Sequence, residues 1–133
     1  MTDYFNMEFS ENDTRGISNL GLAYLGDAVF ELMVRAWLCA HGRVTPKDLH
    51  KAAVTYVSAP AQAAAVKKLL PVLTQEETTI YKRGRNTRVN SVPVNASQQE
   101  YHMATGLETL FGYLYLRGEV GRVNELFDIL MEE

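Results

Sequence analysis

The chain has one cysteine among its 133 residues, which excludes an internal disulfide, and Cys39 lies in an apolar stretch that fits a reducing compartment. It has no surplus of positive charge. Lys plus Arg number 13 against 16 Asp plus Glu, a formal net charge of −3, so an anionic partner must be held by a local basic patch and not by the field of the whole molecule. No segment alternates apolar and polar residues over a useful length, which argues against half-buried strands, and no repeat or low-complexity tract occurs. The first residues, Met1 to Glu8, carry neither a basic n-region nor an apolar h-region, so no secretory signal is expected. The longest apolar run, residues 20–40, is interrupted by Asp27, Glu31 and Arg35, so no membrane span is expected and the chain reads as soluble.

What is present is an ordinary globular composition, 47% hydrophobic and 22% charged, long enough for a single domain over 1–133 with its own core. Residues 20–40 read as one long helix, with Ser18 to cap its start and Gly42 just past its end. Apolar residues all around it predict a central pillar buried on most sides. Thr45-Pro46-Lys47-Asp48 has the N-cap, N1 proline and N3 acid of a helix start, followed by an apolar stripe at Leu49, Ala52, Ala53 and Tyr56. Ser58 and Pro60 open an Ala-rich helix through Val66 and Leu69-Leu70, broken at Pro71. Thr74 and Glu77 form one capping box, and Ser97 and Glu100 form another. The first opens a shorter helix ending in the basic stretch Tyr81 to Arg88. The second opens a helix to Leu116, stopped near Gly118. Between them, residues 89–96 read as a loop. A closing amphipathic helix, Glu119 to Met131, puts Val123, Leu126, Phe127 and Leu130 on one face. The fold class is all-α.

Three features could carry chemistry. Asp27 is an acid in an apolar helix, where an ionised carboxylate is costly unless paired, hydrogen-bonded or bound to a cation. One reading gives it a structural partner and leaves Gly26 to allow close packing. The other makes it a ligand for a hard divalent cation, which needs a second carboxylate from elsewhere. Glu31, one turn on, shares its face, and an ion pair with Arg35 accounts for Glu31 equally well. Glu108 repeats the oddity of Asp27, a lone acid in an apolar helix near Gly106 and Gly112. Each glycine costs about 1 kcal/mol relative to alanine within a helix, which points to close approach of another group. Two such acids brought together would repel and raise a pKa unless a cation sat between them, and Mg²⁺ is suited to one or two carboxylates plus water and phosphate. Two independent structural acids is the competing reading. The third feature is the cluster Lys82, Arg83, Arg85 and Arg88, with Gly84 for flexibility and Asn86 as a further donor, which reads either as a phosphate clamp or as a solvated charged loop.

Leu25-Gly26-Asp27-Ala28-Val29 resembles the core of the ribonuclease III signature, and Leu107 to Leu116 resembles that family's second signature helix. The resemblance is closer to the Mini-III ribonucleases, which have the catalytic domain without a double-stranded-RNA-binding domain. It extends through Val57 to Ala63 and Lys82 to Asn86, and so over nearly the whole chain. It implies a cytoplasmic, homodimeric, Mg²⁺-dependent endoribonuclease that cuts double-stranded RNA, specifically precursor 23S ribosomal RNA, and leaves 5′-phosphate and 3′-hydroxyl ends. Asp27 and Glu108 match the family's metal-binding acids. Full-length ribonuclease III has two further acids, at positions held here by Ala23 and Thr105, a reduction shared by Mini-III enzymes that speaks against a permanently occupied two-metal site. Lys82, Arg83, Arg85, Asn86 and Arg88 would hold the RNA backbone. Tyr24 corresponds to an aromatic at the dimer interface of the wider family, with ordinary core packing as the alternative. Assistance by a ribosomal protein is left open.

Two other classes compete. One is a catalytically silent RNA-binding protein of ribosome assembly, against which retention of both acids argues. The other is a small DNA-binding domain, for which no recognition helix is evident.

Overall fold

The computed structural model describes residues 1–42, 45–87 and 97–132. In chain order it contains α1 (Glu11–Arg15), α2 (Asn19–Ala40), α3 (Pro46–Val57), α4 (Ala59–Leu69), a 3₁₀ turn (Leu70–Val72), α5 (Gln75–Arg85), α6 (Gln98–Leu116) and α7 (Val120–Met131). No strand occurs among the described residues, as the all-α expectation requires.

The helix starts follow from side chains that satisfy the free backbone N–H groups of the first turn. Ser18 Oγ accepts from Gly21 N–H at 2.9 Å, Thr45 Oγ1 from Asp48 N–H at 3.1 Å and Ser58 Oγ from Ala61 N–H at 3.4 Å. Both expected capping boxes are formed, Thr74 with Glu77 and Ser97 with Glu100. A third, Ser10 with Asp13, opens the short α1, which periodicity did not suggest. At the far end of α6 the chain turns at Gly118, whose φ of +76° suits a residue without a Cβ.

The buried pillar is α6, not α2. From Ala104 to Leu114, every α6 residue except Glu108 is buried. α2 is buried only along the stripe Leu22, Ala23, Gly26, Phe30, Val34 and Leu38, while Tyr24 is 85% exposed and Leu32 56%. Apolar residues surround α2 because it has two apolar faces, and only one of them is covered within the chain. Phe30 lies edge-on to Phe111 at 5.5 Å and to Phe127 at 6.1 Å, joining α2, α6 and α7 in one core cluster.

Two pairs of glycines let helices approach α6 at backbone distance. A Cβ on Gly26 would overlap the Glu108 carbonyl and lie 2.8 Å from Gly112 N, and one on Gly112 would overlap the Leu22 carbonyl. The close-packing reading of Gly26 and Gly112 therefore holds. Gly84 of α5 is pressed likewise against Thr109 and Gly106, so it is a packing residue inside a helix, not a point of loop flexibility. A separate polar tie closes the other end of α5: Glu77 is buried and accepts from Arg122 Nε at 2.8 Å and Nη2 at 2.9 Å.

Candidate active site

The α2–α6 contact fixes where the two candidate acids go. Gly26 packs on the backbone of Glu108, so the next residue, Asp27, and Glu108 stand at one place on the surface of the helix pair. Asp27 is exposed, contrary to the buried position expected of it, and Glu108 is the half-buried member. Burial is the main reason the Glu108 carboxyl is pushed up to about 8, and the charge of Asp27 and a hydrogen-bonding interaction with it add to the rise. A cation at this spot would offset the repulsion that, with burial, raises the Glu108 carboxyl. The chemistry open to such a pair is to bind a hard divalent ion through oxygen, with water and a phosphate completing its shell.

Glu31 is not part of this pair. It forms an ion pair with Arg35 at 3.0 Å, the simpler of the two readings. Among the described residues no cluster of three or more His, Cys, Asp or Glu side chains exists, so the pair stands without a further acid or histidine. Ala23 and Thr105, the two positions without acids, are buried, and Thr105 Oγ1 donates to the Tyr101 carbonyl at 3.0 Å.

The basic cluster is the last turn of a helix and not a loop. Lys82, Arg83 and Arg85 end α5 and Asn86 caps it, while Arg88 lies outside the described residues. Because Gly84 rests on Gly106 and Thr109, this turn flanks the turn of α6 that bears Glu108. Thr87 receives a hydrogen bond from Asn19 Nδ2 at 3.2 Å, which ties the same turn to the start of α2. The side chains diverge: Arg83 faces a cavity shared with Glu11, Arg15 and Glu76, whereas Arg85 and Asn86 border another with Lys67, Gln99 and His102. Arg85 lies over the Tyr81 ring at 5.8 Å and donates from Nε to Asn86 Oδ1 at 3.1 Å. Tyr24 is exposed, which excludes the core reading for it.

One polar residue beside the site was not singled out from the sequence. Gln62 of α4 is 2% exposed and acts on the Glu108 carboxyl. The available signal was a lone amide at the head of the apolar spacing Gln62, Val66, Leu69.

Among the described residues the fold is all-helical, with a carboxyl pair between its two longest helices and a basic turn alongside, groups of the kind that could bind a divalent cation and a phosphodiester. Comparison with known proteins agrees. The ribonuclease III domain model matches residues 20–119. The Mini-ribonuclease 3 of Clostridium tetani is 40% identical over 133 residues, covering 98% of this chain and 88% of that protein. The Brevibacillus brevis Mini-ribonuclease 3 is 49% identical over 107 residues, 80% of each chain. A crystal structure of protein FN1578 from Fusobacterium nucleatum superposes with a TM-score of 0.81 at 31% identity, covering 87% of this chain and 94% of that one. The chain belongs to the ribonuclease III family, within its Mini-ribonuclease 3 group. It is an endoribonuclease of a family that acts on double-stranded RNA and generally depends on divalent metal.

Proposed function

We propose that residues 1–133 form a single catalytic domain that cuts both strands of double-stranded RNA as a twofold homodimer, with Mg²⁺ held by Asp27 and Glu108. The observation that carries this reading is the carboxyl pair itself, in which Glu108 is driven toward protonation beside an exposed Asp27. A site that takes up a proton to balance two carboxylates fits a hard divalent cation, and two carboxylates suit Mg²⁺, which keeps several waters. Bound there, Mg²⁺ supplies Lewis acidity toward a phosphoryl oxygen and activates water for in-line attack.

The chain's own residues do the remainder. Asp27 and Glu108 fix the ion at the surface of the α2–α6 pair, where a phosphodiester can reach it. Lys82, Arg83, Arg85 and Asn86 hold the duplex backbone beside it. A-form RNA presents phosphates, 2′-hydroxyls and shape more than base edges, so cleavage follows duplex geometry. The product ends are 5′-phosphate and 3′-hydroxyl. The substrate is precursor 23S ribosomal RNA in the cytoplasm, as the resemblance of the sequence to Mini-III ribonucleases implies.

The dimer reading is supported by the uncovered face of α2. Leu20, Tyr24, Ala28 and Leu32 follow one another at four-residue spacing and are all exposed. They adjoin an apolar groove between α2 and α7 that includes Leu25, Val29, Met33 and Val120. Exposed apolar surface of this kind marks an association site. Two strands of opposite polarity match two sites related by a twofold axis.

The test is to incubate the purified protein with perfect duplex RNA in Mg²⁺ or in EDTA, with the separate strands as controls. Cutting of both strands of the duplex in Mg²⁺ alone is expected. Equal cutting of single strands, or undiminished cutting in EDTA, would overturn the reading.

A further inference from the structure

α4 packs on α6, its buried residues are Gln62, Ala63, Val66 and Leu69, and the first of these breaks the apolar pattern. The Gln62 side chain is fully enclosed, and its Nε2 has no hydrogen-bond partner among the described residues. A buried amide donor without an acceptor is destabilising, and native proteins keep few of them. An apolar side chain of the same size would fill this place at lower cost. The polar group beside it is the Glu108 carboxyl, near enough to act on its charge. Gln62 therefore has a donor that makes no hydrogen bond of full geometry in the metal-free fold, yet lies close enough to the Glu108 carboxyl to lower its pKa, and that carboxylate is one the proposed reaction uses.

We propose that Gln62 is a positioning residue for the cation site, donating its buried carboxamide N–H to a Glu108 oxygen when that carboxylate turns to a divalent ion shared with Asp27. This rests on the Asp27–Glu108 reading above. An ionised carboxylate has two oxygens with about four lone-pair sites. A bound cation would take some of these and leave another as the acceptor that Gln62 lacks. With both engaged, the carboxylate is fixed between α4 and the ion and cannot swing into solvent. Gln62 does this without adding charge, so the ion keeps enough positive charge to attract a phosphate. Groups that orient metal ligands in this way typically contribute 10–100-fold to metal affinity.

The test uses the full chain and Mn²⁺, whose free concentration is read by electron paramagnetic resonance. The parent, Gln62→Met and Glu108→Gln are titrated, and their thermal unfolding is followed in EDTA. Methionine keeps the length and approximate volume and removes both donors. Gln62→Leu is a second variant should methionine pack poorly. The expected result is that Gln62→Met melts at or above the parent temperature without metal, yet binds Mn²⁺ 10–100-fold more weakly. A variant that melts earlier in EDTA and binds Mn²⁺ as the parent does would make Gln62 a packing residue and overturn the proposal. If Glu108→Gln loses Mn²⁺ while Gln62→Met does not, only the role of Gln62 fails. If the parent and Glu108→Gln bind Mn²⁺ alike, the cation reading fails and the role of Gln62 falls with it.

Discussion

Replacing Glu108 with glutamine removes a carboxyl that burial and Asp27 push up to about 8, against an ordinary value near 4.5. A group whose folded pKa is raised binds its proton more tightly in the folded state. Its contribution to stability is complete below pH 4.5 and is lost as pH rises toward 8. Each pH unit in that window costs up to about 1.4 kcal/mol. The metal-free parent should therefore lose up to roughly 3–4 kcal/mol between pH 5 and pH 8 through this residue, and less where the two side chains turn to water. For a domain of this size that corresponds to a fall in Tm on the order of 10 °C. Glutamine has nearly the same shape and no charge at any pH, so Glu108→Gln should lack this component while sharing with the parent the titrations of groups remote from Asp27. Calorimetric unfolding of both proteins in EDTA at pH 5 and pH 8 reads the difference. The two should be similar at pH 5, with the variant well ahead at pH 8, and added Mg²⁺ should raise the parent and leave the variant unmoved. Identical pH slopes for the two proteins would refute the account of Glu108.

Arg83→Ala combined with Arg85→Ala should weaken duplex binding and flatten the dependence of log affinity on log salt by about one unit or less per lost phosphate contact. The rate should recover in part at saturating RNA and low salt, and an unchanged slope would remove these arginines from the clamp. Tyr24→Arg places a charge in the middle of the exposed α2 stripe and should leave a folded monomer, detected by sedimentation at micromolar concentration. A dimer that persists unchanged places the interface elsewhere. Gly112→Ala forces a methyl against the Leu22 carbonyl, and separating α2 from α6 should cost about 1–3 kcal/mol in denaturant unfolding. No change would mean that the contact yields without strain.

Helix starts were legible in the sequence because a cap is a local bond between a side chain and a backbone amide three residues on. Ser18, Thr45, Ser58, Thr74 and Ser97 all act where their sequence positions suggested. Ser10 and Asp13 carry the same pattern before α1, but no apolar run follows to draw attention to it. Which helix occupies the centre was not legible. α2 and α6 are similarly apolar, and only tertiary packing shows that α6 is enclosed while Leu20, Tyr24 and Leu32 of α2 face outward. For the same reason, of the two acids expected to be buried, only Glu108 is partly so, while Asp27 is exposed. The glycines beside both acids did announce a close approach, since a helix keeps a residue of poor propensity where a Cβ has no room. Gly84 misled because a glycine among basic residues reads as a flexible loop, whereas here it lets α5 rest on α6. Gln62 gave little sign of itself, because an amide in an Ala-rich helix becomes conspicuous only once its neighbours are known to be buried.

The central claim is that Asp27 and Glu108 together hold the cation that cuts the duplex. Asp27 is exposed, so Asp27→Asn should preserve the fold while removing a ligand. The most direct measurement is Mg²⁺-dependent cleavage of an end-labelled perfect RNA duplex by the parent and by Asp27→Asn, with circular dichroism to confirm that both are folded. The account predicts cleavage of both strands by the parent and none by the variant at the same protein and metal concentrations. Parent-like turnover by folded Asp27→Asn would contradict it.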